Sequence, residues 1–163
     1  MPSKKEQVEV AALVAEIVGA IAVVISVAYL AVQISEANKE LRSQSHYNAL
    51  SLGQRPLEIE LENAELAEIV SIGYEDPEEL TATEWYRFSQ YQIIAFNAWE
   101  YYYYEHEKGA IPEQLWIGAN AYYVQNSSTK PGLWKYWSEY EHIYADPFHS
   151  YVEEFIGNYP PAE

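Results

Sequence analysis

Glu139-x-x-His142 sets a carboxylate and an imidazole three residues apart, on one face of any helix that carries them. Di-iron bundles build their metal centre from two such pairs plus two further glutamates, spread over four helices. Here the second pair is missing, because Tyr103 rather than a glutamate stands three residues before His106. Glu100 and Glu105 are the further oxygen donors on offer. A single pair reads more readily as a solvated or interfacial His142 than as a metal site. His46, His106, His142 and His149 show no His-Glu-x-x-His spacing. There is no cysteine, which excludes disulfides, thiolate metal sites and cysteine nucleophiles. No Gly-x-Ser-x-Gly elbow presents a serine nucleophile. Gly53, Gly73, Gly109 and Gly118 are too scattered for a phosphate loop. The expectation is therefore a non-enzymatic protein with no catalytic residue, cofactor or metal.

What the chain has in quantity is charge and aromatic surface. Its formal charge is −16. Residues 1–34 hold Lys4, Lys5, Glu6, Glu9 and Glu16, a net −1, which leaves −15 for the remainder. Such a surface repels phosphates, so nucleic acid is not an expected partner. It provides solubility, and it would also suit a basic patch on a protein. The 16 Tyr, 5 Trp and 4 Phe lie mostly between Trp85 and Tyr159. Tyr and Trp join a large apolar body to a polar tip and are enriched at interfaces. Tyr101, Tyr102, Tyr103, Tyr104, Trp134 and Trp137 are the candidates for a partner surface. The same stripe could line a pocket for a quinone, a pigment or a lipid, though packing and protein contact are commoner uses.

These residues need positioning, and the strongest element is at the other end of the chain. From Val10 to Ile34 the only charge is Glu16, and Ile17–Ile34 has none. Eighteen helical residues span about 27 Å, close to the hydrocarbon thickness of a bilayer. A cleaved signal peptide would have a shorter apolar region and a small-residue cleavage site. This stretch instead runs into Gln33, Ser35, Glu36 and Asn38. It is expected to be a transmembrane helix over residues 10–34, after a tail of residues 1–9, with Glu16 at the membrane edge. Ala15, Gly19, Ala22 and Ser26 recur at helical spacing, and Tyr29 and Gln33 continue the line. Small residues let a second helix approach closely in lipid, so this line is the expected helix-packing interface.

The remainder reads as an acidic helical domain over residues 35–157 with an extended tail at 158–163. Ser35–Leu61 should continue the helix, broken or bent near Gly53 and Pro56. A short helix from Ala64 should stop at Gly73, and Tyr74–Leu80 reads as a loop. Thr81-Ala-Thr-Glu84 is a capping box. It opens a helix to about Lys108, with Trp85, Phe88, Gln92, Ala95, Trp99 and Tyr102 at helical spacing and Gly109 as its stop. Further helices are expected over Glu113–Gln125, with Pro112 in the first turn, from Pro131 to about Tyr144, and from Asp146-Pro147 to about Ile156. Asn126–Lys130 reads as a loop. The fold class is all-α: one N-terminal transmembrane helix followed by a small helical-bundle extramembrane domain.

The chain resembles a family of small, uncharacterised bacterial single-span membrane proteins with a C-terminal helical domain. The resemblance rests on Gly19, Ile21, Ala22, Val23, Val24, Ser26, Tyr29, Leu30, Ala31, Gln33 and Ile34 in the apolar stretch, then Asn38, Leu41 and Arg42. Downstream it rests on Glu65-Leu66-Ala67, Gly73, Asp76, Leu80-Thr81, Glu84, Arg87-Phe88, Gly109, Ile111, Trp116 and Pro131-Gly132. Asn63-Ala64 replaces the proline the family carries before Glu-Leu-Ala. The family's positive charge usually follows the span, whereas this chain also has Lys4 and Lys5 before it. The resemblance implies a single pass through the bacterial cytoplasmic (inner) membrane, with the C-terminal domain on the cytoplasmic side. It implies no activity.

The combined expectation is a non-catalytic accessory or stabilising subunit of a larger bacterial membrane complex, respiratory or photosynthetic by analogy. It would contact the lipid bilayer and an integral membrane protein partner. The rivals are a membrane-tethered metal-dependent enzyme or small-molecule sensor, and a self-associating membrane protein, a homo-oligomer.

Overall fold

The computed structural model describes residues 3–156. These form six α-helices, and the fold is all-α, without a strand among the described residues. The helices are α1 (Lys4–Glu62), α2 (Ala64–Glu75), α3 (Ala82–Glu107), α4 (Glu113–Thr129), α5 (Pro131–Tyr140) and α6 (Phe148–Ile156). Short 3-10 turns cover Pro77–Glu79 and Glu141–Ile143. The chain divides into two compact units between Ser43 and Gln44. The tail expected at 158–163 lies outside the described residues.

The first unit is the N-terminal part of α1. The helix starts at Lys4 rather than after a nine-residue tail, because Ser3 and Glu6 make a capping box. The Ser3 N–H donates to Glu6 Oε2 at 2.6 Å, and the Glu6 N–H to Ser3 Oγ at 3.4 Å. Every described residue of this unit is exposed. The apolar stretch has a mean hydropathy of 2.6 and is long and apolar enough to cross a membrane. The helix continues beyond Ile34 as expected, but it does not break at Gly53 or Pro56: α1 runs to Glu62 with Pro56 inside it. A proline in a helix interior removes a hydrogen bond and crowds the preceding turn. Pro56, which belongs to the second unit, is buried there.

The second unit is built around α3. Its capping box is formed as expected: the Glu84 N–H reaches Thr81 Oγ1 at 3.3 Å, and Glu84 Oε2 accepts the Thr81 N–H at 2.8 Å. At the far end, Gly109 adopts φ 63°. Its N–H donates to the His106 carbonyl, and that of Ala110 to Glu105, both at 2.8 Å. This is the paired pattern of a Schellman cap, and the positive φ is why glycine stands there. Phe88, Gln92, Ala95, Trp99 and Tyr102 are buried at the expected spacing, and Tyr91, Phe96 and Ala98 widen the buried face. Helices α2 and α4 pack on α3, α5 packs on α2, and α6 packs on α4.

Four boundaries differ from the sequence expectation. Helix α2 runs through Gly73 to Glu75. Gly73 is not a stop; a Cβ there would overlap the Phe88 ring. The segment read as a loop at 126–130 is mostly the last turn of α4. The Ser128 and Thr129 hydroxyls donate back to the Gln125 carbonyl at 3.2 and 2.7 Å, and Ser127 is buried. Helix α5 ends at Tyr140 and the chain tightens into the 3-10 turn before Tyr144. Pro112 is the N-cap of α4, one position before the expected first turn.

Candidate docking surfaces and polar sites

The expected helix-packing residues Ala15, Gly19, Ala22, Ser26, Tyr29 and Gln33 are all exposed on α1. A Cβ on Gly19 would meet nothing within 4 Å. Glycine costs about 1 kcal/mol relative to alanine inside a helix, and no contact among the described residues accounts for it here. Ser26 has its own partner, since its hydroxyl donates to the Ala22 carbonyl at 2.8 Å. That bond hides the serine's polarity within the helix.

The aromatic candidates divide differently from the expectation. Tyr102 and Trp137 are 4% and 2% exposed and belong to the core, so they are not a partner surface. Tyr101, Tyr103, Tyr104 and Trp134 are half-buried against that core. Tyr103 packs on Phe148 and Tyr151, with ring centroids 5.7 and 4.9 Å away. The Trp134 indole N–H donates to the Ser127 carbonyl at 2.9 Å. Helices α3, α5 and α6 are rich in aromatics because rings fill the space between them. Phe96 alone contacts Trp99, Tyr136, Trp137 and Tyr144. The most exposed large residues of this unit are instead Tyr47, Leu61, Tyr86 and Ile117. They follow no motif, and only packing distinguishes them.

Buried polar groups gather on one side of α3. Tyr91 donates its hydroxyl to Glu60 Oε2 at 2.9 Å. Burial pushes the phenol of Tyr74 up to about 12 and that of Tyr91 higher still, with the Glu60 carboxylate adding to both. Tyr74, Tyr91, Gln92 and Tyr122 border a cavity of about 20 Å³. That admits one water and no quinone or lipid tail. The Trp99 indole N–H donates to Asn120 Oδ1 at 2.9 Å, and the Tyr136 and Tyr144 hydroxyls share a hydrogen bond of 2.7 Å.

Glu139 and His142 do not act as a pair. Glu139 Oε2 accepts the Trp85 indole N–H at 2.9 Å, and His142 is exposed. Glu105 is buried and paired with Lys108 at 3.1 Å. The half-buried Glu100 has its carboxyl raised by desolvation. His106 stacks on Trp116 at 4.7 Å and meets Glu113 at 2.9 Å. All the basic side chains after Arg42 are in ion pairs: Arg55–Glu58, Arg87–Glu65, Lys108–Glu105, Lys130–Glu75 and Lys135–Glu78. Carboxylates outnumber the lysines and arginines of this unit.

No family model, curated protein or solved structure matches the chain.

Proposed function

We propose that the protein is a single-span accessory or stabilising subunit, held in a membrane by α1 and docked on a larger integral membrane protein. The observation that carries this reading is the surface of α1. Apolar side chains from Val8 to Ile34, such as Leu13, Ile17, Val24 and Leu30, are more than half exposed around the whole helix. Soluble domains do not sustain contiguous apolar surface of this extent in water. A lipid environment covers it at no cost, and the helix satisfies its own backbone there.

Lipid does not by itself call for Gly19. A glycine in line with Ala15 and Ala22, unexplained by any contact among the described residues, supports close packing by a second helix. The second unit brings an acidic exterior that suits a basic patch on the partner beside the membrane. The residues shared with the small bacterial single-span family favour the cytoplasmic membrane as host and the cytoplasm for the second unit.

Purification of the native protein from its own membranes in mild detergent, followed by mass spectrometry, tests the proposal. A polytopic protein should accompany it in fixed stoichiometry. Recovery as a lone monomer would overturn the reading. Cysteines at Ala15, Gly19 and Ala22 that crosslink two identical chains would replace it with self-association.

A further inference from the structure

We propose that Glu141, His149 and Glu153 form a binding site for one first-row divalent cation of the zinc type. Their ligand atoms lie within 4.8 Å of one another. His149 Nε2 stands 3.9 Å from Glu141 Oε2. Ligand atoms about 2.1 Å from a tetrahedral ion sit about 3.4 Å apart. Closing on an ion thus requires side-chain movements of about an ångström.

The scaffold around the three groups is fixed. His149 and Glu153 are one helical turn apart on α6 and share a face. The first turn of α6 is held by Asp146, whose Oδ1 accepts the Ser150 N–H at 3.2 Å and its hydroxyl at 2.6 Å. Glu141 enters from the 3-10 turn, which leads into the buried Tyr144. Behind the site lies Trp137, itself in the core. Its indole N–H donates to Glu153 Oε1, and its ring lies 5.5 Å from that of His149. A buried donor that holds one oxygen of a carboxylate is the outer-shell support seen at metal sites.

Charge makes an independent argument. The cluster brings two carboxylates together with one imidazole. Each lysine and arginine after Arg42 is engaged with another acid. A divalent ion supplies the positive charge that the chain does not. The donor set selects among ions. Calcium and magnesium take all-oxygen shells, and thiolate-seeking ions find no sulfur, whereas imidazole with carboxylates suits zinc.

Calorimetric titration of the untagged full-length chain in detergent with zinc chloride tests the site. One ion per chain should bind, with a Kd of about 10 μM or tighter. Zinc should also raise the melting temperature by mass action. His149→Ala or Glu141→Gln should weaken binding about tenfold or more, while His142→Ala, beside the site, should not. The absence of saturable binding would overturn the proposal. So would unchanged binding in Glu141→Gln, a surface change that spares the core, or magnesium binding as tightly as zinc.

Discussion

Gly132 lies so close to Gly73 that a methyl group on Gly132 would overlap the Gly73 carbonyl oxygen. Two helices, α2 and α5, touch there through bare backbone, with the Phe88 ring 3.2 Å from the same point. Backbone cannot step aside as a side-chain tip can. Gly132→Ala should therefore cost at least about 2 kcal/mol, as overpacking does, or leave the second unit unfolded. Gly118, inside α4 with nothing within 4 Å of its Cβ position, gives the control. Gly118→Ala should stabilise by about 0.5–1 kcal/mol. Chemical denaturation of the two variants reads both signs at once.

Alkali should unfold the second unit. Burial raises the phenols of Tyr74, Tyr91, Tyr123, Tyr136 and Tyr144, that of Tyr74 to about 12. A phenol ionises near pH 10 when unfolded, and the folded state keeps these neutral. Their contribution is present in full below that pH and is lost as pH rises toward the folded values. The slope is about 1.4 kcal/mol per pH unit for each tyrosine that ionises only on unfolding. Tyrosinate absorbance should rise together with loss of helical circular dichroism. Ionisation of all tyrosines well before unfolding would contradict it.

Acid acts through the caps. Hydrogen bonds from Thr81 hold the Glu84 carboxyl below its ordinary value, and those from Ser150 do the same for Asp146. Both favour the fold above the usual carboxylate range and lose that effect as pH falls through the depressed values. Thr81→Ala should destabilise by about 1 kcal/mol and flatten the acid limb of the stability profile. An unaltered limb would show that Glu84 contributes nothing.

Trp99 is fully buried, stacked 5.4 Å from Tyr123 with its N–H on Asn120. Trp99→Ala should cost about 3–5 kcal/mol. Asn120→Ala, which strands the indole N–H, should cost about 1–3 kcal/mol. Equal losses from the two changes would mean that the ring's packing contributes little.

On α1, Gly19→Ile should release the co-purifying partner. Leu13→Ile, on the opposite side of the helix, should leave the complex intact. Gel filtration of the detergent-solubilised complex distinguishes the two. Equal behaviour would remove the small-residue face from the proposal.

Local chemistry was legible wherever one segment carried the whole signal. Thr81 and Glu84 announce α3 because both halves of the cap lie within four residues. The apolar stretch of α1 is equally self-contained. Gly73 misleads because a glycine ends a helix and admits a neighbouring ring with the same letter, and Phe88 is what decides. Ser127–Thr129 read as loop by propensity, but back-bonding to Gln125 and burial of Ser127 keep them helical. The tyrosine run at 101–104 reads as interface, yet Tyr102 is buried, with its ring against Gly53 of α1. Glu141, His149 and Glu153 come from two elements, and the Glu-x-x-His signal pointed to Glu139 and His142 instead. Trp85 claims Glu139, a contact across 54 positions that no spacing rule encodes.

The ring-on-ring core has an optical consequence. Trp99 lies 5.4 Å from Tyr123, Trp137 lies 5.3 Å from Tyr144, and Trp116 lies 6.2 Å from Tyr103. Excitation absorbed by those tyrosines passes to the neighbouring indoles before it can be emitted. The intact unit should glow as tryptophan alone, and the return of tyrosine emission would report the first separation of its helices, without any dye or label.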